Sequence, residues 1–428
     1  MASVVYQVFV AAFGGLDGVA AHLPHVRALG ADAVYLTPVF SAPSPHKYDT
    51  TDFDRVDDGF GGEAAFQRVV AGCRAHGLGL ILDGVFNHVG AGHPWTHEHP
   101  SWFSGSDWRG FPSLRELDTT QAEVRRVLCD IVAAWTRRGA SGWRLDCMND
   151  LGPRFAEELA TAARDAGASD GIVGEIMAYP AGWVKSGSAL TGVMNYWLRA
   201  VALALAHATS PATLLQYALD RLAAEMPADV LARSWTLIGS HDTTRVATAL
   251  GSEAAVDVAQ ALMFTYPGIP MIYYGDELGQ LGGSDPDCRR PLPPSSEWNL
   301  QRLERTRLLC RLRREHPALT SGRYVPLPQP GTDVIAFARV PQKLAQTLIF
   351  VANASPRPTQ TTLFLPLNFG FDALPLVDQL GTIPECALHE GTLQPTLPPH
   401  GAALLAARDD LPGGYRFFKP SLVLDSAA

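Results

Sequence analysis

The sequence of 428 residues lacks the features that mark metal-rich, membrane-inserted and nucleic-acid-binding proteins. Its six cysteines include no C-x-x-C pair and no spacing typical of a zinc site. No apolar run approaches the length that spans a bilayer, and the N-terminus has no signal-peptide pattern. Its 34 Lys and Arg are outnumbered by 43 Asp and Glu, and the net charge of -9 offers nothing to nucleic acid or anionic lipid. We therefore expect a cytoplasmic protein with reduced cysteines and an uncharged partner.

What the sequence does contain is a repeated alternation of short apolar runs and longer segments with helical periodicity. Eight such runs begin at Val4, Ala33, Leu78, Ser141, Gly171, Val193, Ser234 and Pro270. Strands that alternate with helices form parallel sheets, and eight βα units close into a barrel. The pattern therefore predicts an α/β protein with a (β/α)8 TIM barrel.

The domain organisation follows from where this alternation stops. We assign residues 1–323 to the barrel, including a short insert at 88–118 after the third strand. Residues 324–407 contain short strands broken by Pro, Gly and Asn, without helical spacing, and are predicted to form a C-terminal β-sandwich. Residues 408–428 are predicted to be a loosely packed tail.

Polar and charged residues gather at the ends of the predicted barrel strands. The segments DGVFNH, RLD, GE, SHD and GDE contribute Asp83, Asp146, Glu175, Asp242 and Asp276. In a closed parallel barrel the carboxyl ends of the strands meet at one rim, where active sites are built. Arg144 and Asp146 are two apart on one strand, so their side chains point the same way.

Two of these carboxylates are typical of glycoside hydrolysis. Asp146 lies beside Arg144, and a neighbouring positive charge lowers the pKa of a carboxyl group and keeps it ionised as a nucleophile. Glu175 has apolar neighbours in the sequence, which would raise its pKa and keep a proton available for the leaving oxygen. The distance between the two carboxyl groups decides between retention and inversion, and the sequence does not give that distance.

The order of these motifs resembles that of a known enzyme family. DGVFNH, GWRLDCMND, GEIM and IGSHDTTR resemble the four motifs of the α-amylase family of glycoside hydrolases. The flanking segments YLTPVFSAPSPHKYDTTDFDRVDDGFGG and YYGDELGQLGGSDPDCRRP are similar to the cyclomaltodextrinase, maltogenic amylase and neopullulanase branch. The resemblance covers the barrel and weakens in the strand-rich C-terminal part.

The resemblance implies catalytic roles for three carboxylates. Asp146 would be the nucleophile and Glu175 the general acid/base. Asp242 would bind sugar hydroxyls and stabilise the distorted transition state.

The resemblance also implies a set of substrate-binding residues. These are Tyr48, Asp49, His88, Arg144, His241, Asp285 and Arg289. Tyr48 would stack on the sugar ring at the point of cleavage, and the two histidines would bind its hydroxyls. Arg144 would orient the nucleophile. The pair Asp285 and Arg289 would grip the glucose on the non-reducing side of the cut, with Asp49 as a weaker candidate for the same glucose.

The sequence departs from the branch in three respects. The branch usually carries a β-domain before the barrel, whereas the first predicted strand here starts at Val4, so we expect that domain to be lacking and leave the oligomeric state open. Met177 stands where a tryptophan is usual, which removes a flat surface for the leaving sugar. Asn87 matches a calcium ligand of larger amylases, but the short insert leaves too few oxygen ligands, so we predict no metal and no cofactor.

Several polar residues receive structural interpretations. Asp276 and Glu277 are predicted to be anchors at the rim, and Asp83 is predicted to be a buried brace that bonds Arg144. The histidines of the insert, His93, His97 and His99, favour a solvated loop over a zinc site. The tryptophans of the insert are open between sugar stacking and loop core; they are Trp95, Trp102 and Trp108.

The leading functional hypothesis is a retaining α-glucan hydrolase. It would cleave α-1,4 bonds of maltooligosaccharides and cyclodextrins through a covalent glycosyl-enzyme, with α-1,6 cleavage and transglycosylation left open. A first alternative keeps the fold but makes transfer or isomerisation the main reaction, as in a glucanotransferase or trehalose synthase. A second is a catalytically inactive binding subunit like the transporter-associated heavy chains, which the intact carboxylates disfavour.

Overall fold

The computed structural model describes residues 3–329, 331–366 and 373–408. Its centre is a closed barrel of eight parallel strands, in which each strand pairs with its neighbours in sequence and the first pairs with the last. The strands are β1 (Val5–Val8), β2 (Ala33–Leu36), β3 (Gly79–Gly84), β4 (Gly142–Leu145), β5 (Ile172–Ile176), β6 (Gly192–Asn195), β7 (Trp235–Thr236) and β8 (Ile269–Tyr273). The predicted (β/α)8 barrel is confirmed, with every strand at an expected apolar run. Of the predicted tail, the part after Arg408 lies outside the described residues.

The barrel interior is filled by side chains and leaves no pore at its centre. Every second residue of a barrel strand points inward, and these side chains form a buried layer, as expected for a barrel of eight strands. The layer consists of Val5, Ala33, Tyr35, Ile81, Val173, Met194, Trp235, Leu237, Ile269 and Met271. The aromatic members fill the wide cross-section, and the polar ends of the strands lie above this layer.

Helices alternate with the barrel strands along the chain and continue after the last of them. Their bounds are Leu16–Leu29, Gly62–His76, Trp95–Glu98, Ala122–Arg138, Met148–Leu151, Pro153–Asp165, Tyr196–His207, Ala212–Glu225, Ala228–Arg233, Val246–Leu250, Glu253–Thr265, Leu300–Glu315 and Pro317–Ser321. Short 3-10 turns occur at Val10–Phe13, Asp58–Phe60, Pro100–Trp102, Trp108–Gly110, Asp276–Leu278, Asp287–Arg289, Ser295–Glu297 and Leu344–Gln346. None of the helices in the described ranges is both long enough and apolar enough to cross a bilayer.

Two excursions from the barrel rim carry residues of interest. After β2 the chain forms a hairpin in which Phe40–Ser41 pairs with Asp52–Val56. After β3 the predicted insert contains a three-stranded antiparallel sheet. Its strands, in spatial order, are His88–Gly90, Leu114–Leu117 and Phe103–Asp107. The insert is therefore short but folded, and it carries secondary structure of its own.

The C-terminal part is made of antiparallel strands around a separate apolar core. Six strands form one sheet, in the order Arg323–Pro326, Val334–Val340, Leu348–Asn353, Ala402–Ala407, Leu374–Asp378 and Cys386–Leu388. Two-stranded sheets pair Thr359–Gln360 with Thr396–Leu397 and Leu363–Phe364 with Thr392–Leu393. Inward residues such as Val351, Leu363 and Leu405 form the core.

The chain divides into two compact units. One contains all eight barrel strands and comprises the described residues up to 199 together with 225–251 and 268–311. The other contains the C-terminal strands together with two helical stretches, 200–224 and 252–267. The domain boundaries at 323 and 407 stay predictions, because the compact units are not contiguous in sequence.

We predict that truncation of Trp143 destabilises the barrel. Trp143 on β4 is fully buried, packs 5.9 Å from the ring of Phe86 and donates a hydrogen bond of 3.0 Å to Thr136 Oγ1. Trp143→Ala should lower the free energy of unfolding by about 3–5 kcal/mol, the usual cost of a large buried cavity. Leu300→Ala, at a side chain that is 64% exposed, should change it by less than about 0.5 kcal/mol. Urea unfolding followed by circular dichroism measures both, and equal values for the two variants would contradict the packing described here.

Candidate active site

A cleft of about 600 Å³ opens at the rim formed by the carboxyl ends of the barrel strands. Loops after β2, β3, β4, β5, β7 and β8 line it. The lining residues include His46, Tyr48, Asp49, His88, Trp108, Arg109, Phe111, Asp146, Cys147, Asp150, Glu175, Met177, Asp242, Asp285 and Arg289. The three predicted catalytic carboxylates therefore face one cavity. Of the seven predicted substrate-binding residues, Arg144 and His241 lie behind the wall and the other five line it.

Arg144 is the centre of the charged network beneath the cleft. Register places Arg144 on β4 opposite Asp83 on β3 and Val173 on β5. Its Nη1 donates to Asp83 Oδ1 at 2.8 Å and to Asp146 Oδ1 at 2.6 Å, and its Nη2 contacts Glu175 Oε1 at 2.7 Å. The predicted brace between Asp83 and Arg144 is confirmed. One guanidinium thus serves three carboxyl groups from three adjacent strands.

The expected pKa of Asp146 and the expected surroundings of Glu175 are both wrong. Burial raises the pKa of Asp146 to about 7, and this effect outweighs the lowering by the adjacent Arg144. The negative charges of Glu175 and Asp83 act in the same direction as burial. The apolar setting expected for Glu175 does not exist either, because Arg144 touches its carboxylate. The residues next to Glu175 in the sequence do not indicate this contact, because Arg144 lies on the adjacent strand β4.

Cys147 is a residue of the site that the sequence reasoning missed. It follows Asp146, and its backbone has φ 48° and ψ 45°. This left-handed conformation is uncommon for residues other than glycine. This turn brings its N–H to Glu175 Oε2 at 3.1 Å and its thiol to Asp146 Oδ2 at 3.0 Å. Both candidate catalytic carboxylates are therefore fixed by the same residue. Only its position next to Asp146 could have indicated it.

A hydrogen-bonded chain links the hairpin after β2 to the barrel wall. Tyr48 Oη lies 3.0 Å from Asp83 Oδ2 and 2.5 Å from His241 Nε2, and its ring stacks on that imidazole at 5.7 Å between centroids. Gln7 Nε2 lies 2.7 Å from His241 Nδ1. Because an amide nitrogen only donates, Nδ1 accepts and the proton of a neutral His241 lies on Nε2. Burial keeps the pKa of His241 well below its ordinary value, which favours this neutral form.

Asp242 is held from two sides. His241 Nε2 lies 3.2 Å from its Oδ2, and Arg289 Nη2 donates to its Oδ1 at 3.1 Å. Arg289 also pairs with Asp285 at 3.0 Å and donates to the His241 carbonyl at 2.9 Å. Its guanidinium lies 5.1 Å from the ring centroid of Phe9. The segment GGSDPDCRRP is therefore part of the site rather than a simple turn.

The insert supplies the opposite side of the cleft. Trp108 stacks on His88 at 5.0 Å between ring centroids, and its Nε1 donates to Asp150 Oδ2 at 2.9 Å. Burial lowers the pKa of His88 to about 4, so this imidazole is neutral at pH 7. The backbone of Tyr48 is a hydrogen-bond partner of this imidazole.

The other tryptophans of the insert differ in their role. Trp102 packs face to face with His99 at 4.0 Å and edge to face with Trp95 at 5.1 Å, and neither tryptophan lines the cleft. Trp95 and Trp102 therefore belong to the core of the insert, whereas Trp108 lies at the cleft. On the hairpin, Asp49 lines the cleft and accepts a hydrogen bond from Ser44 Oγ.

The predicted anchors are buried away from the cleft. Asp276 pairs with Arg245 at 3.1 Å, and Glu277 accepts from Tyr6 Oη at 2.8 Å. Among the described residues, the insert histidines do not come together as a metal-binding group. Asp146, Cys147 and Glu175 do lie together, but Arg144 already neutralises charge there and disfavours a cation.

Comparison with known proteins agrees with this geometry. The sequence model of the alpha-amylase family, described as the alpha amylase catalytic domain, matches residues 7–111 and 101–305 of this chain. The chain therefore belongs to the α-amylase family of glycoside hydrolases.

Particular members of the family are similar over most of the chain. Neopullulanase 2 of Thermoactinomyces vulgaris is 35% identical over 337 residues, and a cyclomaltodextrinase of Geobacillus thermopakistaniensis is 34% identical over 339. Each alignment covers 72% of this chain and 57% of the relative, so the chain spans little more than half the length of these proteins. The crystal structure of Ttha1563 from Thermus thermophilus has a TM-score of 0.83 at 30% identity and covers 95% of this chain and 99% of its own.

We predict that Asp146→Asn stabilises the protein above pH 7. The pKa of Asp146 is about 7 when folded against an ordinary 3.8, so the folded state binds more protons between these values and stability falls as pH rises through them. Asparagine cannot ionise, and it leaves one cation with two carboxyls rather than three. At pH 8 the gain should be at least about 1 kcal/mol, because one pKa unit corresponds to about 1.4 kcal/mol.

The same measurement contains its control. At pH 4 Asp146→Asn should gain little, because the folded wild type is already protonated there. Asp130→Asn, on an exposed helix face, should match the wild type at both pH values. A variant that is less stable than the wild type at pH 8 would show that the attraction of Arg144 outweighs the cost of burial.

Proposed function

We propose that the protein is a retaining α-glucan hydrolase that cleaves α-1,4 bonds of maltooligosaccharides and cyclodextrins. The observation that carries this proposal is the close approach of two carboxylates, since one oxygen of Asp146 and one of Glu175 lie within 4.8 Å of each other. Carboxyl groups about 5–5.5 Å apart are typical of retaining glycosidases, and inverting enzymes leave about 6.5–9.5 Å for a water. Asp242 faces the same cleft.

In the first step Asp146 attacks the anomeric carbon. A carboxylate oxygen forms the glycosyl ester while the bond to the leaving oxygen breaks, and Glu175 donates its proton to that oxygen. Asp146 and Glu175 share the Arg144 guanidinium, and the reaction uses the state in which the proton of this pair lies on Glu175. Loss of that proton leaves Glu175 anionic beside Arg144, which stabilises the product of the transfer.

In the second step a water molecule replaces the departed sugar. Glu175 takes a proton from this water, the water oxygen bonds to the anomeric carbon, and the ester to Asp146 breaks. Cys147 keeps both carboxylates in place during the exchange, because its N–H and thiol bind one oxygen of each. Two displacements on one carbon return its original configuration.

The sugar-binding residues follow from the walls of the cleft. Asp242, Asp285 and Arg289 form a connected group that offers both donors and acceptors to hydroxyl groups. His88 lines the cleft and adds the polar edge of an imidazole to this group. Tyr48, stacked on His241, presents an aromatic face to a pyranose ring.

The leaving-group side of the cleft is more apolar. Met177 is 51% exposed and Phe111 is 55% exposed, and both line the cavity. Met177 lacks the flat surface of a tryptophan, but the exposed ring of Phe111 offers a surface on which a second sugar can bind after the first has been cut and compete with water for the glycosyl-enzyme. Transglycosylation is therefore the second candidate reaction.

We propose a location in the cytoplasm. All six cysteines are free thiols, and Cys73, Cys147, Cys288 and Cys310 are buried. Such cysteine usage is typical of reducing compartments.

We predict that Glu175→Gln traps the covalent intermediate. Maltosyl fluoride carries a leaving group that needs no proton, so Asp146 should still form the ester, while its hydrolysis should slow by about 10²–10⁴-fold without the general base. Mass spectrometry of the intact protein should show one added maltosyl group, and peptide mapping should place it on Asp146. Asp146→Asn and the double variant should show no adduct, whereas Asp130→Asn, far from the cleft lining, should turn the substrate over like the wild type. An adduct on any other side chain would refute the assignment of the nucleophile.

We predict that hydrolysis outweighs transfer at low substrate concentration. Products from β-cyclodextrin, pullulan and maltotriose should be separated by chromatography beside an assay of new reducing ends. A hydrolase raises the number of reducing ends with each cleavage, and the first maltose released should be the α-anomer by NMR. Redistribution of chain length without new reducing ends would instead establish a transferase. Cleavage of pullulan into panose rather than maltotriose would assign α-1,4 specificity.

A further inference from the structure

A second group of ionisable side chains lies outside the cleft, beside the seam where the barrel closes. His22 and His25 are on the first helix, Leu16–Leu29, and Glu277 follows β8. Tyr6 on β1 donates to Glu277 Oε1 at 2.8 Å, which places the group against the pairing of β1 with β8. One ring nitrogen of each histidine and one oxygen of Glu277 lie within 4.8 Å of one another.

Glu277 is a buried carboxylate with incomplete compensation. Its side chain is fully buried, and its Oε1 contacts His25 Nε2 at 3.0 Å. Its Oε2 has no hydrogen-bond partner in the described part of the chain. The nearby guanidinium of Arg245 pairs with Asp276 instead. A buried carboxyl oxygen left without a partner is costly, and a bound cation or a hydrogen-bond donor would offset that cost.

The two histidines lie beside the Glu277 carboxyl group, and His22 Nε2 is also 3.3 Å from Tyr6 Oη. They are three residues apart on one helix and so share a face, with ring centroids 4.5 Å apart. His25 packs against Trp298 at 5.1 Å and His22 against Phe13 at 5.1 Å, which restricts their rotation. Both imidazoles are only partly buried, so solvent reaches them. Burial lowers the pKa of His22 to about 4, which leaves it neutral and able to coordinate at pH 7.

We propose that His22, His25 and Glu277 bind a divalent transition metal ion of the zinc type. Two imidazoles and a carboxylate are a donor set for such an ion and not for calcium. Bonds of about 2.0 Å in a tetrahedron separate the ligand atoms by about 3.3 Å, and His25 Nε2 is already 3.0 Å from Glu277 Oε1. Water completes the coordination from the solvent side. This site revises the expectation of no metal, which rested on the calcium ligands near Asn87.

The ion would tie the first helix to the turn after β8 across the closure of the barrel. Tyr6 holds Glu277 from behind, as outer partners of metal ligands commonly do. Because the three ligands come together only in the folded chain, binding favours the folded state. The site lies apart from the cleft, so its effect is on stability and not on the chemical step.

The test uses the complete protein without a histidine tag, freed of metal by a chelator at pH 7.5. Calorimetric titration with ZnCl2 should show one equivalent bound, and Zn²⁺ should raise the thermal midpoint. Co²⁺ should give the intense visible absorption of a tetrahedral complex. His25→Ala and His22→Ala should each weaken Zn²⁺ binding by about ten-fold or more and abolish the Co²⁺ bands. The matched control is His97→Ala with His99→Ala, which removes two histidines of the insert and should leave both signals unchanged.

A measurement on the wild type guards against variants that fail to fold. Zn²⁺ should protect His22 and His25 from diethyl pyrocarbonate, with labelling mapped by mass spectrometry and His97 labelled equally in both conditions. Equal Zn²⁺ affinity in wild type and His25→Ala, or no protection of the two histidines, would overturn the proposal. In that case the group is an ordinary hydrogen-bonded contact between histidine and glutamate side chains.

Discussion

The guanidinium of Arg144 is the interaction on which the geometry of the site depends. It lies inside the barrel and contacts Asp83, Asp146 and Glu175, which end three adjacent strands. A planar group with several fixed donors can hold three carboxylates at once, whereas a lysine would offer a point charge on a flexible stem. The spacing of the two carboxylates that would carry the chemistry is therefore set by strand register and by one side chain.

This arrangement is unfavourable for stability and suited to proton transfer for the same reason. Three carboxyl groups face one buried cation, and buried ion pairs seldom return the cost of their desolvation. Burial, with a smaller contribution from the neighbouring negative charges, raises the pKa of Asp146 to about 7 and so holds a proton in the network near neutral pH. Perturbed carboxyl groups of this kind are typical of active sites, where stability is given up for function.

The sequence predicted what depends on periodicity and failed on what depends on contacts between segments. The eight strands and the carboxylates at their ends followed from alternation, because parallel strands bring those ends to one rim. The surroundings of Glu175 did not follow, since its guanidinium neighbour comes from β4. Among the tryptophans, Trp108 could not be separated from Trp102, because loop packing has no period. The shortest C-terminal strands outside the predicted runs, such as Thr396–Leu397, were also too brief to resolve.

The two sides of the cleft are held by different means. The barrel positions the charged side through register, whereas the insert has a small aromatic core in which Trp102 packs on His99. This core orders the insert independently of substrate and leaves Trp108 to stack on His88 at the cleft. The packing of the insert is therefore separate from the charged network, and changes in the insert would leave the contacts around Arg144 as they are.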